Sequence, residues 1–154
     1  MDLLDAEVLV KKLMKEHRIN YWTFKFDNAK RRFGGCSIKR ATISLSAPLT
    51  KINSESEVRD VILHEIAHSL AFIRYGSQIK SHGIEWSRTA KKIGCTGNRC
   101  HNAPNRPKPK YLGICSNCGR KIRSHRRTII ACGECCRKYN NGKFDVKFLI
   151  KWVK

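Results

Sequence analysis

The sequence predicts an α+β protein, in which a domain of helices and a three-stranded antiparallel sheet precedes a small β module. Two stretches, 3–17 and 54–75, repeat apolar residues at helical spacing. Short stretches rich in β-branched and aromatic residues lie between them, and the last third of the chain carries cysteines in closely spaced pairs. We therefore divide the chain into a domain over 1–96, a basic Pro-containing linker over 97–110 and a second module over 111–154.

The elements of the first domain follow in order. A packing helix over 3–17 comes first, and the three strands are predicted over 21–26, 33–38 and 41–45, with Pro48 ending the third. A second helix begins at Ser54, which forms a capping-box signature with a glutamate three residues later. We expect the sheet to lie against this second helix, with one edge strand close to its polar residues.

The second helix contains the pattern H-E-x-x-H, formed by His64, Glu65 and His68. Residues four apart lie on the same face of a helix, so both imidazoles can reach one zinc ion. Glu65 then lies beside the metal and can act as general base toward a water molecule on it. The pattern predicts a catalytic zinc site.

A catalytic zinc needs a third protein ligand. His82, followed by a glycine, is the nearest downstream candidate once the loop 76–81 returns the chain, and Glu85 is the alternative. The metzincin pattern is excluded, because Ala71 and Arg74 occupy its glycine and histidine positions. Trp86 begins the apolar spacing of a further helix, and we interpret it as a core anchor that holds His82 in place.

The H-E-x-x-H pattern, followed by His82-Gly83-x-x-Trp86, resembles the SprT-like metalloproteases, the group that includes the Spartan DNA-protein crosslink proteases. The resemblance extends back to residues 30–34 and to the strand at 43–46, and forward to a Cys-rich C-terminal ribbon. It implies a small zincin-like metalloprotease domain over 1–96. It also implies that the target is protein crosslinked to DNA.

The second module is predicted to be a zinc ribbon. Two C-x-x-C pairs separated by thirteen residues have the spacing of a four-thiolate structural zinc site, formed by Cys115, Cys118, Cys132 and Cys135. Cys136 is an alternative to Cys135, and a strand over 144–152 pairs with 128–131 or covers the ribbon. The remaining cysteines are interpreted as free thiols, although Cys95, Cys100 and His101 form a further candidate metal group. We therefore expect two zinc ions per chain.

The net charge of +20 indicates a polyanionic partner. Residues 97–154 hold 15 Lys and Arg against 2 acids, so the ribbon carries most of the excess. The predicted phosphate contacts lie between the cysteine pairs, at Arg120, Lys121, Arg123, Arg126 and Arg127. Aromatic residues for stacking on unpaired bases are Tyr111, Tyr139 and Trp152. The alternative interpretation of the basic loop is a solvated face.

The sequence favours a DNA-associated zinc metalloendopeptidase, and the resemblance implies that it cleaves proteins bound or crosslinked to DNA. We expect single-stranded or junction DNA as partner, no membrane association and a monomer. The acidic start of the chain does not resemble a signal peptide, so an intracellular location is expected. The competing hypothesis is a non-catalytic zinc-ribbon factor of transcription or replication with a structural or vestigial H-E-x-x-H site.

Overall fold

A computed structural model describes residues 1–98 and 104–153, which form two compact units, Met1–Pro107 and Lys108–Lys154. Both units contain helices and a three-stranded sheet, so the predicted α+β class is confirmed. The boundary between the units falls inside the segment predicted to be a linker. Cys100 and His101, two members of the further candidate metal group, lie outside the described residues.

The first unit contains helices α1 (Leu3–Glu16), α2 (Ala47–Ile52), α3 (Glu55–Tyr75) and α4 (Ile84–Lys92). The predicted capping box is present at the start of α3, where the Ser54 side chain accepts from Glu57 N and the Glu57 carboxylate accepts from Ser54 N. Helix α2 was missed because Pro48 was interpreted only as the end of a strand. Proline also suits the first turn of a helix, where its missing N–H has no intrahelical acceptor. Among the described residues, no helix is long and apolar enough to cross a membrane.

The sheet of the first unit comprises β1 (Thr23–Asp27), β2 (Gly34–Ser37) and β3 (Thr42–Ser46) in the order β1-β3-β2. The prediction of an antiparallel sheet was wrong for one pair, because β1 runs parallel to β3 while β2 is antiparallel to it. Ser46 at the end of β3 contacts the connection between β1 and β2. Its amide donates to Phe33 O at 2.8 Å and its hydroxyl donates to Ala29 O at 2.6 Å, so the β1–β2 connection passes around the end of β3.

The core of the first unit lies between α1, α3 and the sheet. Its fully buried side chains come from all three elements and include Val10, Leu13, Ile43, Leu45, Val58, Ile62 and Ile66. Burying each of these side chains contributes about 1.5–3 kcal/mol. Most of the middle of α3 is buried, including His64 and Glu65, so this helix is a fixed platform for its polar residues.

The second unit contains β4 (Tyr111–Cys115), β5 (Lys121–Ser124), α5 (Gly133–Tyr139) and β6 (Ile150–Trp152). Strand β4 is central and pairs antiparallel with both β5 and β6. The strand predicted over 144–152 is shorter than expected, because a 3-10 turn occupies Val146–Phe148. Its main partner is β4, and only an isolated bridge joins Leu149 to Ala131, in the stretch predicted to be its partner.

Candidate metal centres

Three imidazole nitrogens converge in the first unit. The Nε2 atom of His82 lies 3.0 Å from that of His64 and 3.1 Å from that of His68, and the two α3 nitrogens are 3.3 Å apart. Zinc–nitrogen bonds of about 2.0–2.1 Å at tetrahedral angles hold their nitrogens about 3.3 Å apart. The three atoms therefore already have the spacing of a three-histidine metal site with its fourth position open.

These histidines come from two different parts of the fold. His64 and His68 lie one turn apart on α3, as the pattern predicted. His82 comes from the connection between α3 and α4, and its backbone has a φ of 56°, in the left-handed region. Histidine enters this region more often than most non-glycine residues, and strained backbone of this kind concentrates at functional sites. His82 lies inside a turn that Gly83 N closes by donating to Lys80 O at 2.8 Å, and α4 begins directly after this turn.

Trp86 packs against all three imidazoles. Its ring centroid lies 4.7 Å from that of His64, 5.2 Å from that of His68 and 4.6 Å from that of His82, and only 1% of the residue is exposed. A rigid indole in contact with every ring restricts their rotation. The sequence indicated that Trp86 anchors His82. In the structure it contacts all three histidines.

Glu65 lies next to the trio but is not part of it, since the group of potential ligand atoms contains only the three histidines. Glu65 is 7% exposed, and burial raises the pKa of its carboxyl to about 8, while the Arg32 guanidinium opposes that rise. Burial, together with the charge of His82, lowers the pKa of His68 to about 4. The imidazole of His68 is therefore neutral at pH 7 and able to bind a metal ion. Glu85, the alternative third ligand, is not brought to this group.

A cavity of about 590 Å³ opens over the histidines and Glu65. One wall is formed by the edge strand β2 and the residue after it, through Gly34, Cys36 and Ile38. Sequence reasoning placed an edge strand near the metal but gave these residues no role. An added Cβ on Gly34 would lie 2.6 Å from Glu65 Oε1, and no local pattern signals this close approach between residues distant in sequence. Burial, with a smaller contribution from the charge of Glu65, raises the pKa of the Cys36 thiol to about 12.

Four thiols converge in the second unit. Cys115 Sγ lies 3.8 Å from Cys135 Sγ, and Cys118 Sγ lies 3.8 Å from Cys132 Sγ. Zinc–sulfur bonds of about 2.3 Å at tetrahedral angles hold sulfurs about 3.8 Å apart, whereas a disulfide needs about 2.05 Å. The donor set therefore fits a structural zinc. Cys136 is buried but does not belong to this group, so the structure selects Cys135 between the two alternatives.

The predicted DNA-contacting residues are spread over β5 and its flanking loops. Lys121 and Arg123 alternate with half-buried neighbours on β5 and are exposed, as is Arg126 in the following loop. The other two, Arg120 and Arg127, already contact residues of the second unit. Arg120 forms an ion pair with Glu134, and the Arg127 guanidinium lies 4.9 Å from the centre of the Tyr111 ring. DNA binding by these five residues stays a prediction.

The three aromatic residues differ in their exposure. Tyr139 is 58% exposed, whereas Tyr111 is half-buried beneath the guanidinium of Arg127. Trp152 covers Gly113 on the neighbouring strand, and its indole N–H donates to Thr128 O at 2.9 Å. Trp152 therefore serves the packing of the ribbon, and Tyr139 is the most accessible surface for stacking.

A three-histidine group beside a buried glutamate defines a metal-site protein of the H-E-x-x-H type, and comparison with known proteins identifies its family. The SprT-like family model matches residues 6–106, so the chain belongs to the SprT-like family. Protein SprT of Pseudomonas putida strain F1 is 33% identical over 70 residues, which are 44% of this chain and 43% of that protein. Protein SprT of Pseudomonas savastanoi pv. phaseolicola is 27% identical over 97 residues, covering 62% and 56% of the two chains. The matches thus span about half the length of these relatives.

Among solved structures, the crystal structure of the metallopeptidase zymogen abylysin of Pyrococcus abyssi is similar to this chain. The alignment covers 57% of this chain and 78% of abylysin, with 21% sequence identity and a TM-score of 0.44.

Proposed function

We propose that this protein is a zinc metalloendopeptidase that cleaves proteins bound or crosslinked to DNA. The observation that carries the proposal is the convergence of three imidazole nitrogens beside a buried carboxylate, in a cavity open to substrate. His64, His68 and His82 would hold the catalytic zinc, and the four thiolates would hold a structural one. Membership of the SprT-like family supports the same activity.

The chemistry follows from the roles of the side chains. A zinc ion held by the histidines would lower the pKa of a water molecule and polarise the scissile carbonyl. Glu65 accepts the proton of the attacking water and passes it to the amine nitrogen that leaves. Its burial keeps the carboxylate poised to gain and lose a proton near neutral pH. Trp86 fixes the orientation of the three imidazoles throughout.

The substrate backbone binds along β2. This strand pairs only with β3 among the described strands, which leaves its other edge, beside Glu65, available for an extended peptide. Main-chain pairing of this kind is indifferent to side chains, so the selectivity for sequence is weak. The apolar residues Phe72 and Ile79 line the same cavity and give one substrate side chain a hydrophobic contact.

Association with DNA is assigned to the second unit. Residues 108–154 carry 13 Lys and Arg against 2 acids, and such an excess attracts a polyanion by releasing its counterions. Bringing a protease onto DNA raises the effective concentration of any protein held there. Selectivity would then come from location rather than from the sequence cleaved.

The test is cleavage of a protein covalently attached to a single-stranded oligonucleotide, followed by gel electrophoresis. Wild type should produce fragments, and Glu65→Gln should reduce the rate by a factor on the order of a thousand. Elemental analysis should show that the variant keeps its zinc. Equal inactivity of both proteins, with intact DNA binding, would favour the competing hypothesis of a zinc-ribbon accessory factor. Equal cleavage of free and DNA-attached protein would instead remove the DNA-directed part of the proposal.

A further inference from the structure

A second groove lies between the C-terminal half of α3 and α4, with a volume of about 450 Å³. It shares no lining residue with the cavity over the histidines. Successive residues of a helix are rotated by about 100°, which places Leu70 and Ile73 on the other side of α3 from His68. The groove is therefore a separate surface of the first unit.

The floor of this groove is aliphatic. Leu70 and Ile93 are half-buried and pack against the core, while Ile73 is 50% exposed. A cavity of this size is within the range of about 300–1,000 Å³ that is typical of ligand sites. The floor can therefore accept apolar side chains from a partner.

The rim of the groove is cationic, through Arg74 from α3 and Arg88 and Lys92 from α4. All three are exposed, and no acidic residue lines the groove. Within residues 1–98 and 104–153, none of the three forms an ion pair. Arg88 and Lys92 are also four residues apart on one helix, a spacing at which like charges repel. Ion pairs among the described residues therefore do not offset this concentration of positive charge.

We infer that the groove binds an acidic peptide segment of a partner protein, one that places apolar side chains on the floor and carboxylates on the rim. Charge complementarity favours an anionic partner. The aliphatic floor favours a peptide over nucleic acid, because bases bind by stacking on exposed aromatic faces. The one aromatic residue at the groove, Tyr75, has the Arg74 guanidinium 5.3 Å from its ring centre. Binding at this surface is independent of the proposed catalysis.

The test uses the full chain carrying Glu65→Gln, so that the probe is not cleaved. The probe is a fluorescein-labelled dodecapeptide of alternating glutamate and leucine, and binding is followed by fluorescence anisotropy at physiological salt. The double variant Arg74→Glu/Arg88→Glu should weaken binding on the order of tenfold or more. Ile73→Ser should weaken it as well, because it removes the apolar contact. Ile73 is half-exposed, so this change is compatible with folding, which circular dichroism checks.

The matched control is Lys12→Glu/Lys15→Glu on α1. It changes the net charge by the same amount as the double arginine variant, at two exposed lysines elsewhere on the same unit. It should leave peptide affinity nearly unchanged. A dodecapeptide with glutamine in place of glutamate should bind much more weakly. The inference is overturned by an equal loss in the α1 control, by binding that survives Arg74→Glu/Arg88→Glu, or by absence of peptide binding. It is likewise overturned if oligothymidylate or a second copy of the chain occupies the groove in place of the peptide.

Discussion

Two consecutive glycines in β2 each make room for a different side chain. An added Cβ on Gly34 would lie 2.6 Å from Glu65 Oε1 and 2.7 Å from a methyl group of Val61. Alternate residues of a strand point to opposite faces, and a Cβ on Gly35 would instead collide with the Arg32 guanidinium. That guanidinium donates to Asp27 on β1 at 2.5 Å and to Gly34 O at 3.3 Å. The pair of glycines therefore lets the edge strand lie directly against the Glu65 carboxylate.

Gly34→Ala should displace Glu65 while leaving both metal sites intact. Contacts shorter than 3 Å force the neighbouring atoms to move, and a shift of about 1 Å at a catalytic group can cost about a hundredfold in rate. The measurement is kcat/KM on an unstructured peptide, together with zinc content. Gly133→Ala is the matched control, since its Cβ would meet nothing closer than 3.6 Å. Full activity of Gly34→Ala would show that the carboxylate is not held by this close approach.

Among single residues, those of the metal site could be predicted where local spacing determines geometry. His64 and His68 follow from helical periodicity alone. The sequence favoured His82 over Glu85 but could not supply the geometry, which depends on a left-handed backbone at position 82 and on the path of the loop. The close approach of Gly34 to Glu65 could not be predicted either, because the two residues are distant in sequence.

At the scale of elements, strong local signals predicted the structure and weak ones did not. Helix α3 begins at its capping box and ends at Tyr75, as predicted. The order of the strands was not predictable, because the β1–β2 connection is short enough to suggest a hairpin. In the actual path, Ser46 forms two hydrogen bonds with the connection, and no sequence pattern encodes them. Helix α5 was also missed, since its seven residues are too few to show periodicity.

The connection between α3 and α4 carries the prediction at this scale. His82→Ala should lose zinc from the histidine site, because two imidazoles from one helix cannot complete a tetrahedral site. Glu85→Gln should keep it, as this side chain is not brought to the trio. Zinc per chain, measured by elemental analysis after dialysis, distinguishes the two variants. Retention of full zinc and activity in His82→Ala would make another residue the third ligand.

At the scale of the whole molecule, each candidate metal group lies within one compact unit: the histidines in Met1–Pro107 and the thiols in Lys108–Lys154. The second unit has a small core, consisting of four buried cysteines with Phe148, Ile150 and a few partly buried neighbours. A core of this size does not support folding without a further constraint. The ribbon should therefore depend on metal for its fold, whereas the first unit has a hydrophobic core of its own.

Metal removal should consequently proceed in two stages. We expect two zinc ions per chain, and a chelator should first remove the one with an open coordination position, with loss of activity but little change in circular dichroism. Cys115→Ser should lose the other zinc and unfold the ribbon, while the histidine site stays loaded. A metal-binding indicator dye and thermal melts follow both events. One zinc per chain in the wild-type protein would contradict this expectation.

The basic surface of the ribbon is best tested at Lys121, Arg123 and Arg126, which are exposed and form no ion pair within the described residues. Arg120 is a weaker candidate, because Glu134 already offsets its charge. Arg127 is partly engaged by Tyr111. The sequence could indicate the basic stretch as a whole, but only the structure separates its unpaired cations from its paired ones.

Replacing Lys121, Arg123 and Arg126 together by Ala should weaken binding to oligothymidylate and reduce its dependence on salt. Each phosphate contact on a single strand contributes about 0.7 to the slope of log affinity against log salt concentration, so the slope should fall by about 2. Cleavage of a free peptide should be unaffected, and cleavage of DNA-attached protein should drop because the enzyme is no longer held near it. The control removes three other exposed cations of the same unit, Arg137, Lys143 and Lys147. Since both triple variants lose the same net charge, an equal fall in slope would mean that overall charge, rather than a site on β5, attracts DNA.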